Sequence, residues 1–348
     1  MRYKRFGEHT GLRVSELVLG TGNFGTRWGY GALPDDARRI FEAYADAGGN
    51  FIDTANSYQL GESEEIVGEL LKNRRDDFVL ATKFSDMTDA QSGILVTGNS
   101  RKAMVSSVEA SLKRLNTDRI DVYWLHMGDD VTPTDEIVRG FEDLVRTGKI
   151  LYAGLSNFPA WRVSRAVTLA DVHNIAPVAG VQVEYSLVER TTEIEMIPAA
   201  TALGLGVLAW SPLGGGMLTG KYRAGERGRA EGLDGRVFQA ENSAQRTAIL
   251  DAVIAVAHEI GVTAGEVAIA WVAAKGATPI IGPRTVEQLH ANLAAANVRL
   301  TADQIQRLDK VSAVASIYPY TVTSEPETAQ ALTGGKHLEF DRPTHPVA

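Results

Sequence analysis

Asp53, Tyr58, Lys83 and His126 are the residues of this chain whose types combine into a proton-transfer set. A phenol titrates near 10 when unperturbed, so it is a poor acid at neutral pH unless its ionised form is stabilised. A neighbouring ammonium supplies that stabilisation, and a carboxylate holds the ammonium in place. An imidazole can hydrogen-bond a carbonyl oxygen and orient it. The set is an apparatus for polarising a carbonyl and handing it a proton, and it contains no nucleophile and no metal. Taken singly, each residue has an ordinary explanation. Asp53 could cap a turn, Tyr58 could be a core or loop aromatic, and Lys83 or His126 could be a solvated or merely hydrogen-bonded strand end. Their joint position at the ends of consecutive β-like runs argues for chemistry.

Those runs are FID at 51–53, FVLATK at 78–83 and IDVYWLH at 120–126, with Tyr58 five residues beyond the first. They belong to a longer alternation. A run at Leu17 to Gly20 precedes a helix from Pro34 to Gly48, where Pro suits the first helical turn and Gly the C-cap. Helical patterns follow near 62–72, 101–115, 134–147, 161–173 and 193–203. Further β-like runs are ILYAGLS at 150–156, VAGVQVEY at 178–185 and GVLAW at 206–210. Helical patterns at 244–260 and 265–275, TPII at 278–281 and a helix at 285–296 complete the alternation. Strand signals separated by helices, with no polar linker between halves, predict one closed (β/α)8 TIM barrel spanning 1–348. In such a barrel, polar residues at the C-terminal ends of neighbouring strands converge on one mouth. The opening YKRFGEHTGLRVS reads as a β-hairpin that plugs the opposite end. Long loops at Thr21 to Leu33 and at 211–240, after the seventh barrel strand, point to the active face. The tail 313–348 has weak periodicity, consistent with a segment across that face or with partial disorder.

The 348 residues are 44% apolar and 22% charged, an ordinary globular composition. A net charge of −8 disfavours non-specific nucleic-acid or anionic-membrane binding, so an anionic ligand must be held by local positive charge. The absence of cysteine removes disulfides, thiolate catalysis and Cys-ligated metal centres. The seven histidines show no HxH or HExxH spacing, so no metal site is expected. No secretory h-region opens the chain and no apolar run is long enough to span a membrane, so a cytoplasmic protein is the default expectation.

Gly20-Thr21-Gly22-Asn23-Phe24-Gly25 matches GxGxxG after a predicted strand, but a dinucleotide fold needs a helix opening at the third glycine. Here the chain runs on to Pro34 first, and Asp53 lies about 30 residues beyond the motif against an expected separation of about 20. A Gly-rich loop after the first barrel strand accounts for it better. Arg284 follows Gly282-Pro283 at the last strand's end, where a helix begins and barrels often bind phosphate. Its guanidinium could clamp a 2′-phosphate, or it could be a surface arginine.

The chain resembles the aldo-keto reductase family. The resemblance is carried in order by DTANSY at 53–58, ATK at 81–83, RLNTDRIDVYWLH at 114–126, GLSNF at 154–158, VQVEYSL at 181–187, AWSPLGGGMLTGKY at 209–222 and IIGPRTVEQLHANL at 280–293. The WSPL and GKY forms are similar to the branch containing the potassium-channel β subunits and several bacterial reductases. The resemblance implies a (β/α)8 barrel and NADPH-dependent reduction of an aldehyde or ketone. It makes Tyr58 the general acid, Lys83 and Asp53 its tuning pair and His126 the carbonyl-orienting residue. Ser156, Asn157 and Gln182 match positions that hold the nicotinamide carboxamide, and Trp210 matches the residue stacked on its ring. Ser211, Leu213 and Lys221 match ribose and pyrophosphate contacts, while Arg284, Gln288 and Asn292 match those around the adenosine. Gly20, Thr21 and Gly282 are counted with the cofactor contacts.

Gly22 departs from the family pattern, standing where several relatives have an aromatic, so that pocket wall is either missing or supplied by Phe24, Trp28 or Tyr30. Trp28, Phe84 and Met127, which follow the first, third and fourth barrel strands, are expected to line the substrate pocket. Arg223, Arg227 and Arg229 either contact phosphate or solvate their loop, and the second reading is favoured. Two other functions remain open at this point. One is an NADPH-binding redox sensor or regulatory subunit with slow turnover. The other is a barrel isomerase or aldolase using Lys83 as a Schiff base, which requires that lysine to be free of Asp53. The natural carbonyl and the oligomeric state are not legible.

Overall fold

The computed structural model describes residues 1–89, 91–223, 239–341, 343, 346 and 347. Strands β1 (Tyr3–Arg5) and β2 (Arg13–Ser15) pair antiparallel as the expected hairpin. Eight parallel strands then close into a barrel: β3 (Val18–Gly20), β4 (Phe51–Asp53), β5 (Val79–Phe84), β6 (Ile120–Leu125), β7 (Ile150–Ser156), β8 (Val178–Glu184), β9 (Gly206–Trp210) and β10 (Thr278–Ile281). Closure brings Ile280 of β10 opposite Val18 of β3. The fold is the expected (β/α)8 TIM barrel.

Helices α1 (Pro34–Asp46), α2 (Glu62–Leu71), α3 (Arg101–Leu115), α4 (Thr134–Arg146), α5 (Ala160–His173) and α6 (Met196–Ala202) return the chain between strands. They are joined by α7 (Ala244–Ile260), α8 (Ala264–Ala274), α9 (Val286–Ala294) and α10 (Ala302–Val311). Their ends follow local chemistry. Pro34 starts α1 with Asp35 and Asp36 in its first turn, favourable at the positive end of the helix dipole. Thr263 and Glu266 form a capping box on α8.

Strand alternation divides the core into two layers. Phe51, Val79, Ala81, Val122, Trp124 and Leu208 fill the lumen, whereas Ile52, Leu80, Tyr123, Leu125 and Leu155 face the helices. Phe6 follows β1 and enters the lumen floor, its ring edge-on to Phe51 and Trp124 at centroid distances of 5.9 and 6.2 Å. Room for it comes from glycines: a Cβ on Gly206 would stand 2.5 Å from the Phe6 ring. The hairpin thus plugs the barrel's N-terminal end. Gly154 makes the same allowance for Trp124, since a Cβ there would sit 2.3 Å from the indole. Gly154→Ala is expected to lower stability by about 1–3 kcal/mol through overpacking, read as an earlier urea midpoint with an altered tryptophan signal.

Part of the long loop expected at 211–240 lies outside the described residues, which omit 224–238, and Arg227 and Arg229 lie there as well. Arg223 is described and does more than solvate. Its guanidinium donates to Glu241 at 2.9 Å and to Asp251 at 2.6 Å, tying the loop's start to its return. The tail carries two short helices, α11 (Tyr320–Thr323) and α12 (Pro326–Leu332), with mostly exposed side chains. Among the described residues, no single helix is long and apolar enough to cross a membrane.

Candidate active site

The inward-facing residues at the C-terminal ends of the strands form the top layer of the lumen. Asp53 ends β4 and Lys83 lies one residue before the end of β5, with exposures of 1% and 0%. The Lys83 ammonium donates to Asp53 Oδ2 at 2.5 Å, to the Thr54 carbonyl at 2.7 Å and to the Tyr58 hydroxyl at 3.2 Å. Burial alone would push this ammonium down, but the Asp53 carboxylate and the Tyr58 oxygen outweigh it, so its pKa stands above the ordinary lysine value. The charged form is therefore the resting one. Lys83 is not free of Asp53, which removes the condition that the Schiff-base reading requires.

Asp53 is held on its other oxygen too, where Gln182 Nε2 of β8 donates at 2.9 Å. From behind, the backbone N–H and hydroxyl of Thr21 donate to the Asp53 carbonyl at 2.9 and 3.2 Å. On the outer face of β5, Thr82 donates to the buried Glu64 at 2.5 Å, and Arg114 of α3 donates to the same carboxylate at 2.6 Å. Strand β5 is thereby braced on both faces at the lysine.

Tyr58 stands on a turn that left-handed backbone shapes. Gln59 and Leu60 have φ values of 51° and 55°, conformations that side-chain-bearing residues adopt rarely and at a cost. Gln59 is fully buried, and it accepts from Trp28 N–H at 2.9 Å while donating to the carbonyls of Gly22 at 3.2 Å and Tyr30 at 3.1 Å. It therefore fastens the loop after β3 onto the turn that carries the tyrosine. Gly22 lies flat against the Tyr58 ring, where a Cβ would fall 3.6 Å away. The Trp28 ring stands edge-on to Tyr58 at 6.2 Å. Phe24 belongs to the core.

His126 follows β6, its ring edge-on to Tyr58 at a centroid distance of 6.0 Å. Its Nδ1 lies 2.8 Å from Asp86 Oδ2 in the loop after β5. Asp86 and Gln59 were not singled out in the sequence. No motif marks either, since both act through loops whose tertiary course decides what they touch.

The remaining expectations divide. Asn157, at φ 54°, donates to the His126 carbonyl and to Ser156 Oγ at 3.0 Å each and accepts from the Trp210 indole at 3.2 Å. Ser156, Asn157, Gln182 and Trp210 thus form one polar and aromatic wall beside the proton-transfer set. Ser211, at φ 56°, accepts from Gly215 N–H at 3.1 Å and begins a tight turn that contains Leu213. Lys221 sits over the Tyr222 ring at 5.1 Å, close to Gly216. Across the mouth, the Gly282 carbonyl accepts from Asn23 at 2.8 Å, and Arg284 N–H donates to Gln288 at 2.9 Å at the N-terminus of α9, which also carries Asn292. Gly20 and Thr21 are fully buried beneath this layer, Gly20 against Ile280.

Phe84 is a correction. It is fully buried, stacked on Tyr123 at 5.0 Å and edge-on to Phe141 of α4, so it faces the helices and lines no pocket. With Lys83 pointing inward, its neighbour on the strand must point outward. Met127 is exposed at the mouth, and Trp28 is half-buried there. Among the described residues, no group of three His, Asp or Glu side chains is placed to hold a metal ion.

Comparison with known proteins gives a model of the Aldo/keto reductase family matching residues 16–313. The chain is 39% identical to an uncharacterized oxidoreductase, YrpG, of Bacillus subtilis, over 89% of this chain and 96% of that protein. It is 34% identical to the aryl-alcohol dehydrogenase [NADP(+)] of Phanerodontia chrysosporium, over 92% and 88%. It is 35% identical to norsolorinic acid reductase B of Dothistroma septosporum, over 93% and 85%.

Proposed function

The chain belongs to the aldo-keto reductase family, and from that premise we propose that it reduces an aldehyde or ketone to an alcohol with NADPH, Tyr58 acting as the general acid. The observation that carries this reading is the buried chain of contacts from Asp53 through Lys83 to the Tyr58 hydroxyl.

The donor set fits a nicotinamide dinucleotide phosphate. Ser156, Asn157 and Gln182 offer amide and hydroxyl partners for a carboxamide, and among the described residues the carbonyl end of Gln182 has no protein partner. Trp210 offers a face for a ring. In a chain of net charge −8, Lys221 and Arg284 supply the local positive charge that phosphates need, and the Arg284 guanidinium has no carboxylate partner among the described residues. Ser211, Leu213, Gln288 and Asn292 stand beside these cations and Gly282 lies at the mouth, whereas Gly20 and Thr21 are buried beneath it and support the site without facing a cofactor. The reduced nicotinamide, when bound, supplies a hydride. The chain's residues do the rest: His126 holds the carbonyl oxygen, Tyr58 Oη gives that oxygen its proton, and the Lys83 ammonium stabilises the phenolate left behind. Bulk solvent then returns the proton to Tyr58.

Several exposed apolar side chains, Met87, Ile94, Leu95, Met127 and Val131, lie on the loops after β5 and β6. With Trp28 they suit a carbonyl carried on an aromatic or other apolar group, in keeping with the aryl-alcohol dehydrogenase among the relatives.

The test is to titrate the protein with NADPH and NADH by tryptophan fluorescence and then to follow the reduced-nicotinamide absorbance with a panel of aromatic and aliphatic aldehydes. Selective NADPH binding with turnover is expected. Tight binding without turnover would favour a redox sensor, and failure to bind either cofactor would overturn the reading. In the same titration, Arg284→Ala is expected to weaken NADPH roughly 30-fold, about 2 kcal/mol for lost charge-assisted hydrogen bonds, and to leave NADH nearly unchanged.

A further inference from the structure

We propose that Asp86 is a positioning residue for His126, its carboxylate accepting Nδ1–H so that the ring is held in one orientation and presents Nε2 to the substrate oxygen. The inference rests on the reductase reading for its kinetic consequence, but not for its geometry.

Nδ1 of His126 is 2.8 Å from Asp86 Oδ2, and the imidazole side chain is 12% exposed, so water competes weakly for that nitrogen. The contact is bent, and among the described residues Nδ1 has no straight hydrogen bond. Catalytic hydrogen bonds are commonly misaligned before substrate arrives and tighten in the complex. At 2.8 Å the two atoms are already within hydrogen-bond distance, and only alignment separates this contact from a full hydrogen bond.

The placement of Asp86 is built into the loop. Ser85, immediately before it, has φ 134°, a region that residues with side chains avoid, and this backbone turn is what brings the carboxylate back toward β6. Asn56 donates to the Asp86 carbonyl at 3.3 Å, and the Ser57 hydroxyl stands 3.5 Å from its Oδ2. Asn56 and Ser57 immediately precede Tyr58. The segment that carries the proton donor therefore also grips the residue that grips the imidazole. Burial would push the Asp86 carboxyl up, but the His126 ring, the Ser57 hydroxyl and the Lys83 charge leave it below its ordinary value. It is an anion at neutral pH and can only accept.

Which nitrogen of a histidine carries the proton is set by the hydrogen bond that the other nitrogen makes. With Nδ1–H engaged, Nε2 accepts from an alcohol hydroxyl in the oxidation direction; in the reduction direction it takes a proton from solvent and donates that N–H as a hydrogen bond to the carbonyl oxygen. That N–H is the one bond formed at the ring, and the proton passed to the substrate comes from Tyr58.

The test uses two readouts. In protein labelled with 15N-histidine, with His126 assigned through His126→Gln and the ring neutral, the wild type is expected to carry its proton on Nδ1. In Asp86→Ala the proton should move largely to Nε2, the ordinary preference of a free imidazole. Kinetically, Asp86→Ala should lower kcat for aldehyde reduction about tenfold, with NADPH affinity unchanged, and should add less than twofold in the His126→Gln background. The same tautomer in both proteins, or an equal loss in both backgrounds, would overturn the proposal. A wild type that shows no turnover but does show the tautomer change would sink the reductase reading and leave the Asp86–His126 pairing standing.

Discussion

Tyr58→Phe is expected to slow carbonyl reduction by about 10²- to 10⁴-fold, the usual worth of a positioned general acid, while NADPH affinity stays within about twofold. The substitution removes one oxygen. The ring keeps its edge contacts with Trp28 and His126 and its packing against Gly22, so the turn at Gln59 and Leu60 has no reason to move. The Lys83 ammonium loses one acceptor but keeps Asp53 and the Thr54 carbonyl. The loss should therefore fall in kcat. Stopped-flow single turnover with an aromatic aldehyde separates this from slow product release. Near-normal single-turnover rates would mean that some other group delivers the proton, and the assignment of Tyr58 would fail.

Asp53→Asn is expected to cost about 3 kcal/mol of folding stability as well as activity, because it leaves a fully buried ammonium without its counter-ion. The shape of the site is nearly kept, so the loss reports charge rather than a cavity. Lys83 can escape the penalty only by giving up its proton, which also removes the cation that the phenolate needs. Urea titration beside an activity assay reads both consequences. A double variant distinguishes the two roles. Asp53→Leu with Lys83→Met replaces the ion pair by apolar side chains, and it is expected to recover much of the lost stability while remaining inactive. If Asp53→Asn proves as stable as the wild type, the pair is not the isolated buried charge that its geometry indicates.

The barrel was legible because alternation in the strands and caps on the helices agree with one another, as in IDVYWL of β6, where Val122 and Trp124 belong to the lumen while Tyr123 and Leu125 face the helices. Asp53, Lys83 and His126 were legible for the same reason, since a polar residue at the end of an apolar run has few places to go except the mouth. The phase of the alternation was also available for Phe84, and placing it at the mouth overlooked that phase. Other features could not be read. Gln182 reaches Asp53 across 129 positions of sequence, a contact fixed by barrel closure rather than by local pattern. Asp86 depends on the positive φ of Ser85, a conformation that serine does not announce. Gln59 looks like any loop glutamine until the loop after β3 folds over it.

The seam between β3 and β10 has a consequence for the chain's own synthesis. Val18 finds Ile280 only after nearly the whole barrel has emerged from the ribosome. Until then the first barrel strand has one neighbour instead of two, and Phe6 has no finished floor to enter. The stopper is made before the vessel. An N-terminal strand with an open edge, beside an aromatic waiting for its cavity, is the part of a nascent chain most exposed to wrong partners. The hairpin and the first barrel strand are therefore expected to be among the last parts of this fold to be secured.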